Sequence, residues 1–374
     1  MAHVHASVVT TMTGKVAVLG AGAWGTALAK LLAEKGNSVV LWSRRRDLCE
    51  AVNASRENAR YLPGAMLPET LACTDDLSAA LTTAGMVVFA VPSHAMRAVA
   101  RDAAPYMQHG AGHVPKDAPV VSATKGIEVD SLLFMDEVLA EELPSHAPHR
   151  LALLSGPSFA KELSNHLPTA VVIAAHDGDV RERVMTRFHT PYLRTYASAD
   201  VAGVECGGAL KNVIAIAAGA VDGRGFGHNT RAALITRGLA EVAQLAMARG
   251  GSALTLAGLA GMGDLVLTCT GELSRNRTVG YELGKGRTLS EVLAGLGHVA
   301  KGVRTARCAY DLSRKLGVDM PITSEVYSVL YEDKPAQSAV RDLMARELGY
   351  EFDPRTVARA TLRLNAGNGR PEES

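Results

Sequence analysis

The sequence predicts an α/β domain built on a doubly wound parallel sheet, followed by an all-α domain. Three observations carry that expectation. Continuously apolar runs such as Val39-Val40-Leu41-Trp42 and Val87-Val88-Phe89-Ala90-Val91 recur in the first half, as strands do when helices cover both faces of a sheet. Stretches with helix-start signals separate them. After about Ser198 the strand-like runs cease, and Ala, Leu and Gly fill long helical segments. At 374 residues the chain also exceeds the roughly 250–300 at which a single core stops growing. Domains are therefore expected over 14–199 and 200–365, with flexible ends at 1–13 and 366–374 and an alternative start at Met12.

Taken in order, the strands are expected at 15–20, 38–43, 85–91, 118–123, 150–155, 169–174 and 193–197. A helix over 26–35 ends at Gly36, Asp75-Asp76 caps one over 77–84, and Ser93 opens a stretch reaching Met107. The second domain reads as helices over 200–221, 230–249, 289–296, 303–316 and 324–331. Its apolar, Gly/Ala-rich helices suit either a homodimer contact or the domain's own core.

Composition removes several classes of function. With 47% hydrophobic and 21% charged residues the chain is globular rather than disordered. A net charge of +1, from 39 basic and 38 acidic residues, argues against a nucleic-acid partner. Five scattered cysteines without a CxxC pair point to reduced thiols in the cytoplasm, not to a disulfide framework or zinc ribbon. Neither a long apolar run nor a signal-peptide pattern is visible, so no membrane insertion is expected. His109 and His113 stand four apart, but Gly110, Gly112 and Pro115 forbid a helix there and no third metal ligand is adjacent. Gly284-Lys285-Gly286 lacks the spacing of a P-loop.

Gly20-Ala21-Gly22-Ala23-Trp24-Gly25 lies directly after the first strand and directly before a helix, with a second strand completing the βαβ unit. In that Rossmann-like context the three glycines serve a tight turn, a close approach to pyrophosphate and helix–strand packing. The helix N-terminus adds its dipole. The second strand ends in Ser43-Arg44-Arg45-Arg46, with no acid before Asp47. An NAD site carries a carboxylate there for the ribose, whereas arginines suit a 2′-phosphate, so NADP(H) is favoured with NAD(H) not excluded.

Further along, the chain resembles the bacterial NAD(P)-dependent glycerol-3-phosphate dehydrogenase family. The resemblance rests on ordered motifs: Gly-Ala-Gly-Ala-Trp-Gly-Thr-Ala-Leu-Ala (20–29), Tyr-Leu-Pro-Gly (61–64), Ala-Thr-Lys-Gly-Ile-Glu (123–128) and Ser-Gly-Pro-Ser-Phe-Ala-Lys-Glu (155–162). Gly-Ala-Leu-Lys-Asn-Val (208–213), Gly-Phe-Gly-His-Asn-Thr-Arg (225–231), Gly-Met-Gly-Asp-Leu-Val-Leu-Thr (261–268) and Ser-Arg-Asn-Arg (274–277) follow. It implies reduction of dihydroxyacetone phosphate to sn-glycerol 3-phosphate, which supplies the glycerol backbone of phospholipids.

The residues make chemical sense beside that resemblance. Reducing a ketone needs a hydride donor and a proton source for the oxygen. Lys211 interrupts the apolar stretch Ala209-Leu210-Lys211-Asn212-Val213-Ile214. Read from spacing alone it is either a desolvated, functional lysine or a surface one. The resemblance makes it the catalytic acid/base, with Asn212 against a substrate hydroxyl. Lys125 ends an apolar strand and is followed by Gly126, the carboxyl end of a parallel strand, where open α/β sheets place their ligands, and the resemblance gives it substrate and cofactor contacts. Asp264, in Gly261-Met262-Gly263-Asp264, can orient Lys211, bind a substrate hydroxyl or cap a helix. Thr268 shares its face if the segment is helical.

Ser274-Arg275-Asn276-Arg277 is the phosphate candidate, since a guanidinium with an amide and a hydroxyl can hold three oxygens. The resemblance gives Arg275 the substrate phosphate and a cofactor contact, assisted by Ser274 and Asn276. It also assigns Gly156 and Ser158 to the mouth of the cleft. Ala23, Trp24, Tyr61, Ala160, Val299 and Lys301 fall to the cofactor. Ser158 is no hydrolase nucleophile, because no GxSxG surrounds it. One departure stands out: Val299-Ala300-Lys301-Gly302 carries Lys301 where the family carries Glu. A ketopantoate-type reductase acting on a carboxylate is the rival enzyme, and the Ser-Arg-Asn-Arg segment separates the two. A non-catalytic nucleotide sensor would have no use for Lys125, Lys211 and Asp264 together.

Overall fold

Among the described residues, eight strands form one sheet in the first half of the chain. They are β1 (Lys15–Leu19), β2 (Ser38–Trp42), β3 (Leu71–Thr74), β4 (Met86–Phe89), β5 (Val120–Ser122), β6 (Leu151–Ser155), β7 (Thr169–Ala174) and β8 (Leu193–Ser198). The structure is a computed structural model describing residues 14–108, 112–146, 149–296, 301–347 and 350–351. Both expected flexible ends, Met12, His109 and Val299 lie outside the described residues.

The spatial order is β3-β2-β1-β4-β5-β6-β7-β8, so the direction of winding reverses at β1. Strand β1 shows why both faces are apolar. Val16 and Val18 pack with Leu28, Leu32 and Val184 on one side, while Ala17 and Leu19 pack with Met96, Val99 and Val138 on the other. The sheet is parallel through β6, but β7 runs antiparallel to β6, and β8 follows β7. An entirely parallel sheet was the expectation. The helix between β6 and β7, Ala160–Ser164, has only five residues. At about 1.5 Å per residue it is too short to carry the chain back along the sheet, so β7 starts at the edge where β6 ends. The unexpected strand is β3, a four-residue edge strand with alternating burial and no continuous apolar run.

From Val201 onward the described chain is helical. The 23-residue helix Val201–Gly223 is its axis, capped by Asp200, whose carboxylate accepts from Gly203 N at 2.8 Å. Helices His228–Ala248, Arg275–Gly284 and Lys301–Leu316 pack around it. By length and composition the axis helix is apolar enough to cross a membrane, yet 83% of its apolar window is buried inside the protein. It is the core of the helical half. Glu205 and Lys211 break its apolar run, which is why no span was visible in the sequence. A Cβ at Gly219 would overlap the Arg277 carbonyl, and one at Gly280 the Ile216 carbonyl, so small residues here serve close packing within the chain.

Candidate active site

The glycine turn leaves β1 at the winding reversal, where open sheets hold ligands. Gly20 has φ +118°, and a Cβ there would lie 2.8 Å from the Ala90 carbonyl. One at Gly25 would overlap the carbonyl oxygen of Gly20. A Cβ at Gly22, by contrast, would meet no atom within 4 Å. Open space therefore faces the start of helix Ala23–Glu34, which carries no side-chain cap and no acid in its first turn. That cradle fits a pyrophosphate held by backbone amides. Ala23, Trp24 and Ala160 are partly buried against the adjoining core.

Asn58, fully buried, pins the turn by donating to Ala21 O at 3.0 Å and to Thr26 Oγ1 at 2.8 Å. Sequence reasoning missed it, because its local pattern resembles that of any loop asparagine. Tyr61, three residues on, is half-exposed with the Arg60 guanidinium 5.6 Å from its ring.

The structure divides the three arginines. Arg45 pairs with Asp47 at 2.6 Å and Arg46 with Glu50 at 2.8 Å. Arg44 is exposed and makes no ion pair with any described residue. Across the cleft, Lys301 opens the helix Lys301–Leu316. Desolvation, then repulsion by Arg275 and Lys125, lowers its ammonium from the ordinary lysine range, and its exposed surface limits that effect. His94 is lowered by burial and by Arg304, Lys301 and Arg44. Cations from both halves of the chain thus surround the end of β4.

The candidate reaction centre forms where the carboxyl ends of β5 and β6 meet the axis helix. Asp264 begins a helix, Asp264–Thr270, that follows a π-helical turn over Leu259–Gly263. Its N-cap is Gly263, so the Asp264 side chain is not the cap. With no exposed surface, the carboxylate is bonded by the Lys211 ammonium on one oxygen and by Lys125 Nζ at 2.6 Å on the other. Lys125 also donates to Gly156 O at 3.0 Å, and the Ser158 hydroxyl donates to the same carbonyl at 2.9 Å. Thr268 Oγ1 donates to Asp264 O at 2.6 Å, one turn along.

Lys211 is 13% exposed, so the surface-lysine alternative fails. Burial pushes its ammonium down to about 8, against the pull of Asp264 and with repulsion from Lys125 and Lys301. That places it in proton-transfer range near neutral pH.

Asn276 ties three helices together at the site. Its Nδ2 donates to Asn212 Oδ1 at 2.7 Å, and its Oδ1 accepts from Gly302 N at 2.9 Å. Ser274 caps its helix through the Arg277 amide at 3.3 Å, and Arg277 pairs with Asp222 at 2.8 Å. Of the Ser-Arg-Asn-Arg segment, only Arg275 is exposed and without an ion pair among the described residues.

Known proteins resemble the chain over both of its halves. Residues 15–181 match the family model of the NAD-dependent glycerol-3-phosphate dehydrogenase N-terminus, and residues 200–341 that of its C-terminus. A glycerol-3-phosphate dehydrogenase [NAD(P)+] of Geobacter sp. (strain M21) is 53% identical over 340 residues, covering 91% of this chain and 99% of the relative. The protein of the same description from Myxococcus xanthus is 52% identical over 330 residues, covering 88% and 96%. The crystal structure of glycerol-3-phosphate dehydrogenase from Coxiella burnetii superposes with a TM-score of 0.83 at 39% identity, covering 89% of this chain and 99% of that one.

Proposed function

The chain belongs to the NAD-dependent glycerol-3-phosphate dehydrogenase family, and from that premise we propose how its own residues carry the reaction. The reaction is the NAD(P)H-dependent interconversion of dihydroxyacetone phosphate and sn-glycerol 3-phosphate. The glycine cradle would hold the reduced coenzyme, which would supply the hydride for the carbonyl carbon. Lys211 gives the carbonyl oxygen its proton, and in the reverse direction takes it back from the alcohol. Asp264 keeps Lys211 charged and aimed at the substrate. Lys125 holds Asp264 from the other side and borders the substrate with Gly156 and Ser158. Asn212, whose Oδ1 is held by Asn276, presents its Nδ2 hydrogens to a substrate oxygen, and Thr268 completes that wall. Arg275, with the first amides of its helix, grips the phosphate.

The single observation supporting this reading most is a fully buried carboxylate bracketed by two lysines, one from each half of the chain. The end of the last strand at Ser198, with only helices among the described residues from Val201 on, supports division into an α/β coenzyme domain over 14–199 and a helical domain over 200–365. We read the site of action as cytoplasmic, in keeping with five buried, unbridged cysteines. The same small residues that pack the helices leave pairing of two copies unnecessary for the core.

Coenzyme oxidation with dihydroxyacetone phosphate, run beside unphosphorylated dihydroxyacetone, tests the phosphate grip. The first should be turned over far faster, and Arg275→Ala should erase most of that difference, because remote binding energy serves the reacting centre. Equal rates with both substrates would refute the assignment of Arg275.

A further inference from the structure

Lys125 reaches Asp264 along a course that the axis helix leaves open. Glu205, Gly208 and Lys211 stand three residues apart on that helix, so Gly208 neighbours each of the others on its surface. The Lys125 stem passes at Gly208, where a Cβ would lie 3.3 Å from Lys125 Cγ and 2.9 Å from Ser155 Oγ. Only glycine leaves room for both. Two of the three ammonium hydrogens of Lys125 are then taken, by Asp264 Oδ2 at 2.6 Å and Gly156 O at 3.0 Å.

Behind the stem lies a recess of ≈ 10 Å³, room for a single water molecule. Lys125, Gly208, Ser155 and Glu205 line it, whereas Asp264, Gly156 and Lys211 do not, so it is separate from the reacting groups. Two buried atoms of these residues, Ser155 Oγ and Glu205 Oε2, have no hydrogen-bond partner in the protein. Buried polar atoms of this kind are rare and are usually met by an internal water. The other oxygen of Glu205 accepts from the Asp136 amide at 3.1 Å. Burial, then the nearby Asp136 carboxyl, raises Glu205 well above the ordinary carboxylate range, with Arg249 opposing. As a neutral acid it accepts at one oxygen and donates from the other.

We propose that one water held between Ser155 and Glu205 is a fixed part of the active site, and that these two residues and Gly208 are positioning residues that set Lys125 against Asp264 and Gly156 O. The proposal rests on the roles given to Lys125, Lys211 and Asp264 above. Ser155 ends β6 and Glu205 lies on the axis helix, so the water ties the two halves of the chain together beneath the Lys125 stem. A filled recess also denies the stem any retreat from Asp264.

The placement of Lys125 matters to Lys211. Burial, Lys125 and Lys301 all favour loss of the Lys211 proton, and Asp264 opposes them. A Lys125 that leaves Asp264 takes its repulsion away and leaves the carboxylate to Lys211 alone. Lys211 then keeps its proton to higher pH.

The test compares Gly208→Ala, Ser155→Ala and Glu205→Gln. Alanine at 208 removes no polar group but takes the space of the Ser155 hydroxyl and presses on the stem, and Ser155→Ala deletes one bond to the water. Both should lower kcat several-fold, leave KM for the coenzyme unchanged and move the alkaline limb of the reduction to higher pH. Glu205→Gln still offers an acceptor to the Asp136 amide and a donor to the water, so it should keep the wild-type rate and limb. Crystal structures of the wild type and of Gly208→Ala make a measurement without turnover. The wild type should show one water bonded to Ser155 Oγ and Glu205 Oε2, and the variant a Lys125 ammonium displaced from Asp264. A dry recess in the wild type would overturn the proposal, as would alanine variants that lose stability while the limb stays in place. A limb that persists in Lys211→Ala would instead refute the role of Lys211, and the two crystal structures would still decide the water and the placement of Lys125.

Discussion

Lys211 must be charged at neutral pH and still willing to release its proton. Burial alone would neutralise it, and an ion pair alone would lock the proton on. At about 8, the two influences leave it mostly protonated at pH 7. Turnover in the reductive direction should accordingly fall as pH rises through about 8, while alcohol oxidation gains, and a pair of pH–rate profiles checks this. Asp264→Asn removes the stabilising charge and should move that limb to lower pH. Lys211→Ala should reduce turnover by roughly 10²–10⁴-fold with little change in coenzyme affinity, measured by fluorescence titration. Linkage has a sign of its own here. The unfolded lysine stays protonated up to 10.5, and the folded one loses its proton near 8, so the folded state binds fewer protons between those values. Stability from this group should therefore rise with pH from about 8 to 10.5. Spacing singled out Lys211 but left it open between a functional lysine and a surface one, and the family resemblance was needed to choose. Glu205 interrupts the same helix and went unread, since the recess it lines exists only once the sheet packs against that helix.

The elements are held by caps that join one to another. Glu241, on the helix His228–Ala248, is 5% exposed, and its carboxylate accepts from Ile322 N at 2.6 Å and Thr323 N at 3.1 Å. It thereby satisfies the first amides of the helix Pro321–Tyr331, whose other start signal is Pro at its first position. Glu241→Ala leaves those buried donors without an acceptor and should lower stability by about 1–3 kcal/mol. Glu241→Gln offers one acceptor oxygen for two amides and should fall between. Chemical denaturation of the three proteins orders them, and an alanine variant as stable as wild type would contradict the cap. That helix was expected over 324–331, and the structure starts it three residues earlier, with Pro321 at its first position. Elements with strong periodicity or continuous apolar runs were legible from the sequence. The short pieces were not. Strand β3 has one exposed face, and the π-helical turn before Asp264 looks like a loop because its glycines lack a local signal of pitch. Yet that turn delivers Asp264 to both lysines, so the least legible element holds the centre of the site.

At the scale of the molecule, cations from both halves of the chain face one cleft. The sheet half contributes Arg44 and His94, and the helical half contributes Lys301 and Arg304. A two-domain reading predicts a cleft, but it says nothing of which side chains face each other across it. Arg44 and Arg45 read as an equivalent pair in the sequence, whereas the fold gives Arg45 to Asp47 and leaves Arg44 unpaired among the described residues. Lys301 extends this positive rim from the opposite wall, where the family pattern would set a negative charge. A pyrophosphate held in the glycine turn would put the adenosine ribose near the end of β2, beside Arg44. A 2′-phosphate there falls within the field of Arg44 and Lys301, and a bare ribose hydroxyl feels little of it. Lys301→Glu exchanges an attraction for a repulsion. Exposed charge pairs are each worth about 0.2–1 kcal/mol, so the combined change should weaken NADPH binding by several-fold and leave NADH binding nearly unchanged. Arg44→Ala should act in the same direction, and Arg45→Ala should do less because Asp47 already neutralises that guanidinium. Quenching of protein fluorescence on titration with each coenzyme, at low and at raised salt, makes the measurement without turnover. The NADPH preference should shrink as salt rises, since screening acts on the phosphate contact. A Lys301→Glu protein that loses NADH and NADPH affinity equally would mean the residue supports the cleft wall rather than the 2′-phosphate.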